Sequence, residues 1–371
     1  MTRALALLAA LLLADVPSMA QVPAAPNPLQ TAMASMSSVR KRLDTVALPG
    51  FTGEIVVDEG RGAITSAFTR PGAEKSGVKR WRWASVTKQV VAVLIMQEVA
   101  RGRIALDAPA GHYLKGAAIP GGDAVTVRRL LNHSSGLFDP EDGPKDEARV
   151  PLAYLRSGPK PARGLDAACL QPSGRAVGTF RYNNCDYVLA GAILEQVTGQ
   201  SLARLVQQRI ARPLGLKTLA VIKPGARAVD IGYDAKGASD AKIDPGRYGS
   251  AGNLAGSAED MAAFGRALID GKLLPAAARA EMWQGDPALG YAALGQWSFP
   301  ADLRQCPAPV AIIERRGAIG NVQVRHLIAP ERGVVVVMTT DNGAFDFGEI
   351  WQGQGPSHDV LATLLCPGKA A

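Results

Sequence analysis

The sequence predicts an α/β (α+β) domain. An antiparallel sheet is built from both ends of the chain and flanked by helices, with a mostly helical subdomain inserted between. Three observations carry this. β-rich runs stand near both ends, at Phe51 to Asp58 and Gly62 to Arg70, and again from Val310 to Thr340. The long middle, 105–250, shows helical patterns and loops instead. The apolar run Gln89 to Val99 reads as a buried helix beside the first strand pair. Strands, then helices, then strands describe one sheet with a helical insertion.

The elements follow in chain order. Residues 1–20 carry the marks of a signal peptide: Arg3, an apolar core from Ala4 to Ala14, and Ser18-Met19-Ala20 before the cut. That core is too short to span a bilayer. Residues 21–371 then form a single domain, with 21–104 and 251–371 as the sheet part and 105–250 as the helical part. A loose Pro/Ala/Asn-rich leader (21–30) precedes a helix over 31–45. Phe51 to Asp58 and Gly62 to Arg70 pair across the Glu59-Gly60-Arg61 turn. The helix behind Ser85 ends near Arg101-Gly102-Arg103, where basic residues and glycine suit a C-cap. Helices are expected from Val125 to Leu131, from Tyr187 to Thr198, and from Leu202 to Ile210 with a stop at Pro213. Another runs from Ala258 to Gly271. Val310 to Arg316, Val322 to Ile328 and Gly333 to Thr340 form a meander, and Asp359 to Leu365 closes the chain.

Composition narrows the function. A hydrophobic share of 47% with 20% charged residues excludes a disordered chain. The net charge of +8 is scattered, and its densest spots, Arg40-Lys41-Arg42 and Lys79-Arg80, belong to no nucleic-acid motif. His112, His133, His326 and His358 lack metal-ligand spacing, and no Cys-x-x-Cys occurs. No cofactor or metal is expected. Four cysteines in an exported chain point to disulfides with three possible connectivities. Nearness along the chain favours Cys169 with Cys185 and Cys306 with Cys366.

The chemistry starts at Ser85-Val86-Thr87-Lys88. Ser-x-x-Lys also occurs at Ser38/Lys41, Ser76/Lys79, Ser157/Lys160 and Ser239/Lys242. Only Ser85 opens a long apolar helix. Positions i and i+3 share a helix face, so the Lys88 amine reaches the Ser85 hydroxyl. The helix N-terminus favours a developing alkoxide. Together these describe an activated nucleophile. The competing reading is a plain cap serine. Tyr182 alone of the seven tyrosines has Asn two residues on, at Asn184. A phenol near cations can be held as phenolate and move a proton. No Gly-x-Ser-x-Gly elbow is present, which argues against an α/β-hydrolase.

Several blocks stand in a fixed order. They are Ala84-Ser85-Val86-Thr87-Lys88-Gln89, Leu130-Leu131-Asn132-His133-Ser134-Ser135-Gly136-Leu137, and Tyr182-Asn183-Asn184. Pro213-Leu214-Gly215-Leu216, Ser257-Ala258-Glu259-Asp260-Met261 and Pro330-Glu331-Arg332-Gly333 follow. In these the chain resembles the serine β-lactamase and penicillin-binding family, in particular its class C and esterase branch. The resemblance implies the β-lactamase/transpeptidase-like fold and an acyl-serine mechanism. It implies Ser85 as nucleophile, Lys88 and Tyr182 as proton carriers, and Asn184 as a holder of Lys88 that touches substrate. It makes His133 a structural turn residue.

The third family motif, Lys-Thr-Gly or His-x-Gly, maps to Arg315-Arg316-Gly317. Arginine stays charged and cannot shuttle protons. Arg315 is expected to lower the Tyr182 pKa and to clamp a substrate carboxylate. Neighbours on a strand face opposite ways, so Arg315 and Arg316 should not both enter the cleft. Gly317 persists, and the Ala318 amide is expected to complete an oxyanion hole with the Ser85 amide. Asn321-Val322-Gln323-Val324 replaces the family's usual specificity stretch. The expected protein is a periplasmic or secreted serine hydrolase acting on small-molecule or peptide esters and amides, without nucleic acid. An esterase or D-amino-acid-type peptidase is expected ahead of a true class C β-lactamase or D-Ala-D-Ala carboxypeptidase. The reading from another class is a silent penicillin- or peptidoglycan-binding protein.

Overall fold

The computed structural model describes residues 37–69, 80–159, 167–227 and 230–366. The signal-peptide reading (1–20), the leader (21–30), the start of the 31–45 helix, Ser76/Lys79 and Lys160 lie outside the described residues. Within them, α1 covers 37–43. The strands β1 (Gly53–Asp58) and β2 (Ala63–Phe68) pair antiparallel in the expected hairpin. Then come β3 (Trp81–Arg82), α2 (Val86–Ala100), α3 (Ala110–Tyr113), α4 (Val127–Leu131), α5 (Asn184–Thr198), α6 (Leu202–Val206) and α7 (Arg212–Leu214). The remaining elements are β4 (Ala220–Val221), β5 (Leu254–Gly256), α8 (Ala258–Ile269), α9 (Ala276–Met282), β6 (Ala292–Ala293), β7 (Gln296–Ala301), β8 (Val310–Ile319), β9 (Val322–Ala329), β10 (Val334–Thr340) and α10 (Pro356–Leu365).

A seven-stranded sheet has the order β2-β1-β10-β9-β8-β7-β6. β1, from near the start of the described chain, pairs with β10 near its end, with Val56 opposite Val337. Both faces of this sheet are covered, so β10 reads as an unbroken apolar run. Val335 and Val337 join one core with α2 and α8, while Val336 and Met338 join another with α1 and α10. The first core continues from the sheet through α2 into α4 and α5.

Helix α2 is buried on nearly every side, which an all-round apolar helix requires. Its fully buried Glu98 carboxylate is offset by Arg101, Arg103 and Arg209. A second sheet, β3-β5-β4, sits at the mouth of α2. Its strand β3 runs directly into Ser85, so the nucleophile candidate is delivered by sheet on one side and helix on the other.

Three differences from the sequence reading have physical causes. Helix α5 starts at Asn184 rather than Tyr187, because the Asn183 side chain caps it by accepting the Cys185 N–H at 2.7 Å. The helix after Ser201 passes Pro213 and ends at Leu214. A π turn over Gln207–Ala211 widens it just before the residue that has no N–H to give. Strand β7 was hidden by its own Pro300. It is accommodated because β6 pairs only with Gln296 and Trp297, leaving the Pro300 flank as an outer edge.

Candidate active site

Ser85 sits at the N-cap of α2 in helical geometry (φ −69°, ψ −4°), and its side chain makes no capping bond. The hydroxyl is therefore not spent on the helix, contrary to the plain-cap reading. The residue before it, Ala84, has φ 46°, a left-handed conformation that a non-glycine residue adopts at a cost. Buried neighbours hold it: the Trp83 N–H donates to Leu254 O at 2.9 Å, and the Trp83 carbonyl accepts from Val86.

The structure brings Ser85, Lys88, Tyr182 and Asn184 together. Ser85 Oγ lies 2.6 Å from Tyr182 Oη and 3.1 Å from Lys88 Nζ. Lys88 Nζ also donates to Asn184 Oδ1 and to Ala251 O, both at 2.8 Å. Three acceptors around one amine match the three protons of an ammonium. Burial lowers the Lys88 pKa to about 8, against the raising effect of Tyr182. Burial alone would raise the Tyr182 phenol, but Lys88 and Arg315 outweigh it and hold the phenol below its ordinary value. The two cations thus favour the ionised form of the phenol beyond what burial alone would allow. Asn184 Nδ2 donates to Tyr154 Oη at 3.0 Å, and Tyr154 stacks on Tyr248 at 3.7 Å, so the amide is oriented from behind.

Arg315 serves this cluster from below. It is 1% exposed, its Nε donates to Ser85 O at 2.8 Å, and its Nη2 donates to Tyr182 Oη at 2.8 Å. The expected lowering of the Tyr182 pKa follows from this placement. These two bonds use Nε and Nη2, which leaves Nη1 for the expected carboxylate clamp. Its neighbour Arg316 points to the other face, as strand alternation requires, and lines the cleft.

Gly317 is needed for contact. A Cβ there would fall 2.7 Å from Trp83 O and 3.1 Å from Ser85 N. Among the described residues the Ser85 N–H finds no acceptor. Ala318 lies opposite Gln323, one step before the two-residue turn Gly320-Asn321. Such a turn makes Ile319 and Val322 the bonded pair, so alternation turns the Ala318 N–H away from β9. Strand β7 pairs with β8 only as far as Glu314, so that edge is open.

His133 is not aimed at the reaction. It has φ 60° and is buried against the Tyr182 ring, with ring centroids 4.5 Å apart. Its Nδ1 lies 2.9 Å from Asp186 Oδ2 and accepts the Asn183 N–H at 3.3 Å. Burial pushes the Asp186 carboxyl well up and the His133 imidazole well down. The pair supports the turn that presents Tyr182.

Ser85, Tyr182 and Asn184 line a cleft of about 420 Å³ together with Glu141, Tyr248, Trp297, Arg316, Gly317, Ala318, Gln323 and Arg325. The sequence reading missed Glu141, Tyr248, Trp297 and Arg325, which belong to no local motif. A larger groove of about 740 Å³ between α5 and the 249–253 segment contains none of the four clustered residues. Among the described residues no His/Cys/Asp/Glu group could hold a metal, and no helix is long and apolar enough to cross a membrane. Cys169 is bonded to Cys185 and Cys306 to Cys366. The first bridge adjoins Asn184.

A model of the family described as Beta-lactamase matches residues 52–351. The chain belongs to the beta-lactamase family. Esterase EstB of Burkholderia gladioli is 27% identical over 223 residues, covering 52% of this chain and 51% of that protein. The match thus spans about half the length of EstB. Penicillin-binding protein 4 of Amycolatopsis lactamdurans is 28% identical over 290 residues, covering 70% of this chain and 71% of its own. Among solved structures, a D-stereospecific amidohydrolase from Streptomyces sp. superposes with a TM-score of 0.68 at 25% identity. That match covers 92% of this chain and all (100%) of the other. D-amino acid amidase from Ochrobactrum anthropi SV3, at 21% identity and a TM-score of 0.67, shares the fold. The fold is β-lactamase/transpeptidase-like, as the sequence motifs implied.

Proposed function

We propose that this protein is a serine hydrolase that acts on ester or amide substrates through an acyl-Ser85 intermediate. The observation that carries the reading is the uncapped Ser85 hydroxyl at 2.6 Å from Tyr182 Oη, with Lys88 and Arg315 both bonded to that pair. The Tyr182 phenolate takes the Ser85 proton as Oγ forms a bond to the carbonyl carbon. The carbonyl π electrons move to oxygen, where the Ser85 and Ala318 amides receive the charge. Collapse breaks the bond to the leaving group, which takes the proton from Tyr182. Water then attacks the acyl carbon, gives its proton to Tyr182, and frees Ser85, which regains that proton. Lys88 and Arg315 keep the phenolate accessible, and Asn184 fixes Lys88. This assignment makes Tyr182 the general base and Lys88 its cationic partner.

The names of the relatives, an esterase and an amidohydrolase among them, support esters and amides as the substrate class. The signal-peptide pattern and the two disulfides support a periplasmic or secreted location. The test is labelling with a fluorophosphonate probe alongside turnover of an activated ester. The expected result is label on Ser85 and hydrolysis, both lost in Ser85→Ala. Hydrolysis retained in that variant overturns the assignment, and stable labelling without turnover makes the protein a binder instead.

A further inference from the structure

We propose that His326, Gln89 and Gln296 form a buried hydrogen-bonded chain that fixes α2 against the sheet, and that Gln89 and His326 thereby position Lys88 and Arg315 for the reaction. The inference rests on the hydrolase reading above. It makes Gln89 and His326 positioning residues, since neither touches the reacting atoms.

The three side chains come from β9, α2 and β7 and lie in the core, at 0%, 0% and 3% exposure. Gln89 Nε2 donates to Gln296 Oε1, and Gln296 Nε2 donates to Met282 O at 3.1 Å. Gln89 therefore offers its Oε1 as acceptor to His326 Nδ1, 2.7 Å away. Burial lowers the His326 pKa to about 3, so at neutral pH the imidazole is uncharged and carries its one proton on Nδ1. Among the described residues Nε2 meets no donor. It faces Gly265 of α8, where a Cβ would fall 2.5 Å from it. The ring thus sits on bare helix backbone, and its bond to Gln89 orients it.

Each link stands beside the reaction centre. Gln89 follows Lys88 on α2. His326 lies directly opposite Arg315 in the β8–β9 register. Gln296 precedes Trp297, which lines the cleft. Around the chain the contact between helix and sheet is apolar, with Val90, Ile313, Val324 and Val335 in one core. Apolar contact is non-directional, so it sets no unique rotation of a helix that is apolar nearly all round. The arginines on Glu98 anchor only the far end. At the catalytic end, a rotation that breaks the chain leaves two amide groups and an imidazole N–H unpaired in a dry interior, which is costly. The chain therefore selects the rotation in which Lys88 reaches Ser85 and Asn184 while Arg315 reaches Ser85 O and Tyr182.

The test separates position from stability. Gln89→Leu leaves its partners unpaired, so it should lower the urea midpoint. It should also lower kcat for an activated ester by about ten- to hundredfold, with KM little changed. Combining Gln89→Leu, Gln296→Leu and His326→Leu removes the unpaired groups, and Met282 O keeps its bond from the Leu294 N–H. That triple variant should regain most of the stability and keep the low kcat. His326→Asn, which retains a donor at the δ position, should keep more of kcat than His326→Leu. Three outcomes overturn the proposal: wild-type kcat in the triple variant, a Gln89→Leu enzyme that loses stability alone, or equal kcat in the two His326 variants. If Gln89→Leu does not fold, the triple variant decides in the same way. If the wild type turns over no ester, the hydrolase reading falls. NMR of protein with ¹³C-labelled lysine then judges the chain alone. The Lys88 titration, near pH 8 in the wild type, should move in Gln89→Leu, and an unmoved titration overturns the positioning role.

Discussion

Arg82 and Asp240 form a buried two-bonded ion pair, at 2.6 and 3.0 Å, that ties together the two backbone segments flanking the reaction centre. Arg82 lies three residues before Ser85 and also donates to Ile319 O at 3.1 Å. Asp240 accepts from Asn321 N at 2.8 Å and from Gly232 N at 3.1 Å, and the Gly320 turn packs directly against it. The pair thus holds the start of α2 and the β8–β9 turn at one spacing, and with them the Ser85 and Ala318 amides. Removing one partner leaves the other charge buried and alone. Asp240→Ala should destabilise the fold by about 3–5 kcal/mol, measured by urea unfolding. Asp240→Asn should cost less stability yet lower kcat more than it raises KM, because the oxyanion donors matter most in the transition state. A kcat unchanged in Asp240→Asn would dismiss the positioning role.

Tyr182→Phe removes one oxygen from a site where Ser85, Arg315 and the ring neighbours otherwise remain in place. Loss of the general base should lower kcat/KM for an activated ester by about 10²- to 10⁴-fold. Melting temperature should change little, since the ring keeps its packing against His133 and Trp297. A loss under tenfold would move the base function to Lys88.

Ser85, Lys88, Tyr182 and Asn184 were legible in the sequence because each pair is local, the first one helix turn apart and the second two residues apart at the start of α5. The reach from Tyr182 to Ser85 came only through the ordered family motifs. The wall of the cleft was not legible. Arg325, Glu141 and Trp297 meet there from β9, a short loop and β7, and nothing in their local sequence marks them. The Arg82–Asp240 pair spans 158 positions, and Asp240 lies in a Gly/Asp/Lys-rich stretch that reads as solvated loop. Trp81–Arg82 is a short strand leading toward Ser85, and Trp81, Arg82 and Trp83 are all buried although two arginines, Arg80 and Arg82, stand among the tryptophans. The start of α5 was misplaced because Asn183 reads equally well as a turn residue and as a cap.

The pH profile separates the two candidate bases. With phenolate as base and ammonium as partner, activity needs Tyr182 ionised and Lys88 protonated. Lys88 loses its proton at about pH 8, so kcat/KM should fall above that value. Tyr182 sits below its ordinary value, and where it ionises before Lys88 loses its proton the rising limb is its own. Arg315→Gln removes a cation bonded to the phenol, so that limb should move to higher pH. These are macroscopic values of a coupled pair. If neutral Lys88 were the base, kcat/KM would climb through pH 8 instead, and that result would refute the assignment.

The two disulfides should differ in what their loss does. Cys306–Cys366 closes a separation of 60 residues and ties α10 to the segment before β8. On loop-closure entropy its removal costs about 4 kcal/mol. Cys169–Cys185 closes 16 residues, for about 3 kcal/mol. Its second cysteine, however, is the residue after Asn184, and the Cys185 N–H is the bond that caps α5. The paired Cys306→Ser and Cys366→Ser variant should therefore unfold at lower urea while keeping kcat. The Cys169→Ser and Cys185→Ser pair should lose less stability but more activity, because Asn184 no longer fixes Lys88 as tightly. Urea midpoints and ester kinetics on both pairs decide this, and the reverse ranking would mean that the first bridge does not brace the site.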